Sequence, residues 1–333
     1  MNPAEVKKKL DKVGCGFCLA KWTQVTMHLG TGMTHSCHHP SPHKIPLTEL
    51  RRNPSALHNT KHKKARRKEM LEGKRPSECN YCWNVEDNSN SFSDRVFKST
   101  EPWYINDFDK IKDSYWRDDF NPRYVEVSFG NTCNFACAYC GPQYSSKWVE
   151  EIEKHGGYPT EHKFNSIDDI KARDQMPYKQ TEHNPYIEAF WEWWPNLFPD
   201  LHTFRITGGE PLTWNMLPLT TKLKAEGLQI HIETSGAYKL TGIWDWICLS
   251  PKKMKLPTKE VYAKAHELKM IIYNKDDFRF AEEQAAKVNK DCILYLQPEW
   301  SVKDKVVPMI VDFVMANPAW KVSLQTHKYL NIP

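Results

Sequence analysis

Three cysteines, Cys133, Cys137 and Cys140 in the run CNFACAYC, supply three thiolates within one short loop. Thiolate is the ligand that iron–sulfur clusters use. Three of them hold three irons of a 4Fe–4S cube and leave the fourth iron without a protein ligand. An open coordination position separates a catalytic metal site from a structural one. The bland alternatives are a zinc knuckle or buried core cysteines. A zinc site calls for a fourth nearby ligand, and none follows Cys140 in GPQYSSKW. Downstream, HTFRITGGEPL (202–212) passes from an apolar run into glycines, an acid and a proline. It reads as a strand ending in a turn that needs positive φ or close backbone approach.

A cysteine triplet followed by GGEP resembles the radical S-adenosylmethionine superfamily. The resemblance implies that the open iron chelates the amino and carboxylate groups of the cofactor's methionine moiety. An electron then cleaves the sulfonium to release a 5′-deoxyadenosyl radical. By the same match Gly208, Gly209 and Glu210 would bind the methionine amino group.

A second set of thiols, Cys18, Cys37, Cys79 and Cys82, lies in the first hundred residues. Four thiolates make a closed site, either a fully ligated iron–sulfur cluster or four-thiolate zinc. The order FCxAxW, a glycine turn with a cysteine, LHNTKHKKARRKEMLEG, then CxxCW with Glu86 resembles the SPASM/twitch module. That resemblance implies an auxiliary 4Fe–4S cluster. The module usually follows the radical core; here it precedes it, an order similar to radical proteins of marine phages. Cys15 is a fifth thiol that could replace Cys18. His35, His38, His39 and His43, beside Pro40 and Pro42, read as a polar loop. Cys248 and Cys292 sit in apolar runs and read as small buried hydrophobes.

The elements that must carry these residues alternate. YVEVSF, HTFRIT, LQIHIET, WDWICLS, ELKMIIY, CILYLQ and KVSLQT read as buried strands. SSKWVEEIEK, LTWNMLPLTTKLKAEG, DDFRFAEEQAAKVN and SVKDKVVPMIVDFVMAN read as helices. Repeated βα units predict an α/β fold with a parallel sheet and right-handed crossovers. The superfamily resemblance implies a partial (β/α)6 barrel over 123–333, with the site at the strands' C-terminal ends. The cysteine-rich module would occupy 1–100, a linker 101–122, and an insertion 156–186.

The end of the chain carries more specific text. IHIETSG, WDWICLSPKK, ELKMIIY, LYLQPE and W-KVSLQTHKYLNIP resemble the 7-carboxy-7-deazaguanine synthase family over about His202–Pro333. That family contracts 6-carboxy-5,6,7,8-tetrahydropterin to a deazaguanine on the route to queuosine, with a radical and a magnesium ion. The match implies that Glu233, Thr234 and Ser235 line the cofactor site, with Ser250 and Lys252 nearby. Gln325, His327 and the carboxylate of Pro333 would face the pterin. The front half departs from the family: Cys140 is followed by Gly141 and Pro142, not a CDT threonine that helps hold magnesium. Its glycine-rich pterin-binding segment has no counterpart either. The sequence reads as a composite, phage-type up to about GGEPL and synthase-like afterwards.

The formal charge of +5 is uneven. Residues 51–76 hold ten Lys/Arg against two acids, which leaves the remainder about three negative. A nucleic-acid or acidic-protein surface is one reading. A solvated helix face is preferred, because no aromatic platform interleaves the charges. No apolar run reaches membrane-spanning length, and MNPAEVKKKL lacks the apolar stretch of a signal peptide. Cysteines at CxxC-like spacing in a chain of 333 residues fit metal binding in a reducing cytoplasm, in a phage host on the phage-type resemblance. The expected partners are a pterin or a peptide substrate and a flavodoxin- or ferredoxin-type reductant. A homodimer is compatible, whereas membrane and nucleic acid are not expected.

Overall fold

The computed structural model describes residues 2–133, 141–159, 164–179 and 181–324. Contacts divide the chain into two compact units between Gly209 and Glu210.

The first unit contains strands β1 (Gln24–His28), β2 (Met33–His35), β3 (His43–Lys44), β4 (Tyr124–Ser128), β5 (Tyr158–Pro159), β6 (Phe164–Asn165) and β7 (Thr203–Ile206). Five of them form one sheet in the order β3-β2-β1-β4-β7, and β5 and β6 form a separate hairpin. β1 is antiparallel to β2 but parallel to β4, with Val25 opposite Val125 and His28 opposite Ser128. β4 in turn runs parallel to β7. Side chains alternate across a strand, so Val25, Met27, Val125 and Val127 share one face, and all four are fully buried.

The helix Pro185–Leu197 packs on that face. Its ring centroids at Phe190 and Trp194 lie 6.1 and 4.9 Å from Phe204 of β7. Asn184 caps the helix by accepting from the N–H groups of Tyr186 and Ile187, and Pro185 stands at its first position, where no N–H is needed. The sequence did not disclose this helix. Its six aromatic and leucine side chains follow a polar stretch, and Pro195 interrupts the helical pattern.

Residues 101–122, expected as a linker, are folded into the core. Tyr104, Ile105, Phe108, Ile111 and Phe120 join one buried cluster with Val6, Leu10, Phe17, Leu19, Trp22 and Met70. Arg123 closes this region with a fork onto Asp107 (2.6 and 2.9 Å) and a 2.6 Å contact to Asp200.

The basic segment forms the expected helix, Lys61–Leu71, and Lys61, His62 and Lys68 are exposed on it, but two of its cations turn inward. Lys63 and Arg67 are 1% and 0% exposed. Lys63 Nζ donates to Thr34 Oγ1 at 2.9 Å and to the His35 carbonyl at 3.2 Å. Arg67 donates to Asn59 Oδ1 at 2.8 Å and to the Lys21 carbonyl at 3.3 Å, with Trp22 beside its guanidinium. Burial, then the charges of Arg67 and Lys21, pull the Lys63 ammonium well below the ordinary lysine value. Spacing of about one turn therefore sends two cations inward on the same face, where neutral acceptors hold them.

The second unit is a five-stranded, all-parallel sheet of β8 (His231–Thr234), β9 (Trp246–Leu249), β10 (Glu267–Ile272), β11 (Ile293–Pro298) and β12 (Trp320–Val322). The order is β12-β11-β10-β9-β8. Helices Lys259–Lys264, Asp276–Ala285 and Lys303–Ala316 supply the crossovers between successive strands from β9 to β12. Ile232, Leu249, Leu268, Met270, Leu296, Val306 and Ile310 form its core. Each of these strands lies within one of the apolar runs read from the sequence, apart from end shifts of one to three residues. Among the described residues, no helix is long and apolar enough to cross a membrane.

Arg67→Ala removes the charged donor from Asn59 Oδ1 and the Lys21 carbonyl and empties space beside Trp22. A loss of about 3 kcal/mol is expected for a buried charged hydrogen-bonding group. Thermal or denaturant unfolding checks it; an unchanged midpoint would contradict the burial.

Candidate functional site

Of the cysteine triplet, Cys133 is described, and Cys137 and Cys140 lie outside the described residues. The flanks of the loop are tied together. Ser146 N–H donates to the Asn131 carbonyl at 2.6 Å, and Asn131 Nδ2 to the Pro142 carbonyl at 3.1 Å. Ser146 Oγ both donates to the Cys133 carbonyl (2.9 Å) and accepts from its N–H (3.2 Å). A short loop pinned at its neck loses little further entropy when it closes round a metal group.

Gly208 and Gly209 have φ of +75° and +71°. A Cβ on Gly208 would lie 2.5 Å from Ser128 Oγ, and one on Gly209 would lie 2.7 Å from the Thr132 carbonyl. Both positions thus require glycine for conformation and for space, and the backbone forms a cradle beside the cysteine loop's neck.

In the second unit Glu210 is 5% exposed and its carboxylate collects four donors. Thr234 Oγ1 (2.5 Å) and Leu212 N–H (3.2 Å) reach Oε1; Ser235 N–H (2.8 Å) and Oγ (2.6 Å) reach Oε2. Four donors occupy the acceptor capacity of one carboxylate. A ligand amino group must therefore displace one, and the Ser235 hydroxyl is the donor that can rotate away. Thr234 and Ser235 thus hold the acid. Ser250 is buried, its N–H donates to the Thr234 carbonyl at 2.8 Å, and Lys252 Nζ lies 3.3 Å from its hydroxyl. Glu233 points elsewhere, into a 2.5 Å ion pair with Lys269. Gln325, His327 and Pro333 lie outside the described residues.

Cys18, Cys37, Cys79 and Cys82 wall a single cavity, with Ala20, Lys21, Ser36, His39, Trp83, Asp94, Arg95 and Lys98 completing its lining. Cys15 is exposed, with its thiol 3.6 Å from the Gly73 carbonyl, and takes no part. Burial, then the neighbouring thiols, pushes Cys18 far up; burial also pushes Cys79 up to about 11 and Cys82 to about 12. Four thiolates form there only with a cation to hold them, so loading must release protons. Among the described residues, no three His, Cys, Asp or Glu side chains converge on a point that could hold one ion.

Fixed cations support this wall. Arg95, 1% exposed, forks onto Glu86 at 2.7 and 2.9 Å, reaches Asp11 at 3.0 Å and donates to the Phe17 carbonyl at 3.1 Å. Lys21 pairs with Glu78 at 2.5 Å. His38 and His39 lie in the expected loop, between β2 and β3, and its histidines are packed: His39 stacks on Tyr81 and lies 3.0 Å from Asp94, and the His43 ring lies tilted against His62 at 4.2 Å between centroids. Cys248 and Cys292 are buried in the second unit as small side chains among its core.

Sequence reasoning missed His28 and Tyr144. His35 Nδ1 lies 2.5 Å from the Cys37 carbonyl, which only accepts, so His35 donates there. Burial holds both imidazoles neutral, near 4 for His28 and 3 for His35. His35 Nε2 must then accept from His28 Nε2–H at 3.2 Å, and His28 Nδ1 accepts from the Tyr144 hydroxyl at 3.2 Å. One carbonyl thus orients a chain from the second cysteine set to the residue four past Cys140, whose own carbonyl accepts from Gly209 N–H at 3.2 Å. A histidine closing an alternating strand, QVTMH, was the available signal.

No protein-family model matches the chain. A 7-carboxy-7-deazaguanine synthase of Flavobacterium psychrophilum is 72% identical to it over 131 residues, covering 39% of this chain and 62% of that protein. The synthase of Synechocystis sp. is 49% identical over 127 residues, covering 38% and 61%. The chain thus spans about three fifths of the length of these curated relatives. A crystal structure of QueE from Escherichia coli aligns with TM-score 0.40 and 24% identity, over 58% of this chain and 81% of that one.

The Glu86 carboxyl has a testable acid limb. Burial raises it, but hydrogen bonds from Arg95 and Ser93 and the Arg95 charge outweigh burial and hold it below 4.5. A depressed carboxyl contributes stability that is full above its unfolded value and lost as pH falls through its folded one. Glu86→Gln should lower the melting temperature at neutral pH and flatten its fall below about pH 4.5. Melting curves across that range check it; parallel curves for the two proteins would contradict it.

Proposed function

We propose that this protein is a radical S-adenosylmethionine enzyme whose reaction is the conversion of 6-carboxy-5,6,7,8-tetrahydropterin to 7-carboxy-7-deazaguanine. The observation that carries this reading is the 72% identity over 131 residues to a 7-carboxy-7-deazaguanine synthase.

Cys133, Cys137 and Cys140 would each hold one iron of a 4Fe–4S cluster. When bound, that cluster supplies the electron that splits S-adenosylmethionine into methionine and a 5′-deoxyadenosyl radical, an external flavodoxin- or ferredoxin-type protein being the electron source. The chain's own residues do the positioning. Gly208 and Gly209 keep the backbone free of side chains where the cofactor's methionine end would lie. Glu210, aligned by Thr234 and Ser235, would accept the methionine amino group as the Ser235 hydroxyl swings away. Ser250 and Lys252 would complete the cofactor site, Lys252 offering its charge to the carboxylate. Gln325, His327 and Pro333 would meet the pterin. Cys18, Cys37, Cys79 and Cys82 would hold a second 4Fe–4S cluster.

A second reading, radical modification of a peptide, draws on that four-cysteine cavity and its SPASM-like wording. The two are separated by one anaerobic assay with 6-carboxytetrahydropterin, S-adenosylmethionine, a reductant and magnesium. The expected result is 5′-deoxyadenosine together with the deazaguanine chromophore, both lost when Cys133, Cys137 and Cys140 are changed to Ala. Cofactor cleavage without deazaguanine would favour a peptide substrate, and full turnover by the triple variant would overturn the radical reading.

A further inference from the structure

Among the histidines that follow β1, His39 keeps one ring nitrogen that the fold does not use. Its side chain is 2% exposed and belongs to the wall of the four-cysteine cavity. Nε2 lies 3.0 Å from Asp94 Oδ2. An ionised carboxylate only accepts, so Nε2 carries the ring hydrogen and Nδ1 keeps a bare lone pair. Nδ1 is buried, and no donor among the described residues reaches it, the Lys98 ammonium and the thiols of the same wall included.

The other buried imidazoles differ. His28 engages His35 and the Tyr144 hydroxyl, and His35 engages His28 and the Cys37 carbonyl. His58 engages the Trp22 carbonyl and the Lys63 ammonium. Each of these rings uses both nitrogens. A buried acceptor without a partner costs free energy, so His39 is the ring for which packing gives an incomplete account.

Its orientation is nevertheless fixed. Tyr81, which stands between Cys79 and Cys82 in the sequence, stacks on it with centroids 4.0 Å apart and planes 11° from parallel. Asp94 opens the helix Asp94–Ser99, whose Arg95 and Lys98 line the same cavity. Stacking uses the ring face and the ion pair uses Nε2, which leaves Nδ1 as a preset donor of electrons. Thiolate and sulfide sulfur repel such a lone pair, whereas a metal atom accepts it. A histidine whose second nitrogen donates to a carboxylate is the arrangement that metal-bound imidazoles adopt.

We infer that His39 is a ligand of the group held by Cys18, Cys37, Cys79 and Cys82, binding one iron through Nδ1 while Asp94 orients the ring. A cube has four irons and the wall then offers five ligands, so one of the four cysteines stays a thiol. Imidazole in place of thiolate removes one negative charge from the cluster. The cluster becomes easier to reduce, the direction in which histidine ligation moves iron–sulfur potentials. This assignment rests on the reading of the four cysteines as the site of a second 4Fe–4S cluster.

The test uses the full chain with Cys133, Cys137 and Cys140 changed to Ala, so that the second cluster alone contributes. The protein is reconstituted anaerobically, reduced, and measured by pulsed electron paramagnetic resonance with natural-abundance and with nitrogen-15 histidine. The expected result is a directly coordinated histidine nitrogen whose pattern changes with the isotope. His39→Gln keeps an amide donor for Asp94 and removes Nδ1. It should abolish that coupling, retain the iron and shift the midpoint potential to a more negative value, as the remaining thiol takes the vacated iron. Melting temperatures of both chains show whether the substitution disturbs the fold, and the isotope comparison needs no change at His39. A cluster signal without histidine nitrogen, or a coupling that survives His39→Gln, overturns His39 as a ligand and leaves the second cluster standing. A chain that takes up no iron overturns both.

Discussion

The parallel pairing of β1 with β4 is the constraint on which the first unit depends. Five residues, Gln24–His28, lie alongside Tyr124–Ser128, a hundred positions later in the chain. That register does three things at once. It buries Val25 and Met27 against Val125 and Val127, and it brings the cysteine-rich segment into one sheet with the strand that enters the cysteine loop. It also sets His28 beside Ser128, where the Tyr144 hydroxyl can reach it. A slip of one residue would turn every one of these side chains to the wrong face. Apolar burial on one side of the sheet therefore fixes the polar chemistry on the other.

Charge is managed differently in the two units. Around the four thiols, buried cations are tethered by carboxylates or by neutral acceptors: Arg95 by Glu86 and Asp11, Lys21 by Glu78, Lys63 by Thr34 and a carbonyl. A thiolate-bound cluster carries net negative charge, and fixed cations nearby are one of the levers that set its potential. In the second unit the buried acid is held by hydroxyls and N–H groups alone, at Glu210. Pairing with neutral dipoles leaves its negative charge uncompensated and thus available to a cationic amino group.

Much of this was legible in the residues. Cysteine spacing and the glycine turn carried the resemblance on which the proposed radical reaction rests. The apolar, β-branched runs from LQIHIET to KVSLQT marked five parallel strands, because every second side chain of β10, like Ile232 of β8, must be apolar to enter the core. What was not legible depends on distant partners. Composition showed ten Lys/Arg in residues 51–76 but not that Thr34 and Asn59 wait as acceptors for Lys63 and Arg67. Thr234 and Ser235 read as ligand contacts, whereas their hydroxyls grip Glu210. The helix Pro185–Leu197 was masked by a proline inside it, and Tyr144 acquires meaning only once β1 supplies His28.

The central claim is that one chain carries two thiolate-bound clusters, one open to S-adenosylmethionine and one closed. Electron paramagnetic resonance of the anaerobically reconstituted, reduced protein, recorded with and without S-adenosylmethionine, tests it most directly. The expected result is two overlapping 4Fe–4S signals, of which the cofactor shifts one and leaves the other unchanged, with the unshifted signal absent from a Cys79→Ser, Cys82→Ser chain. A single signal accompanied by bound zinc, or a spectrum indifferent to the cofactor, would contradict it.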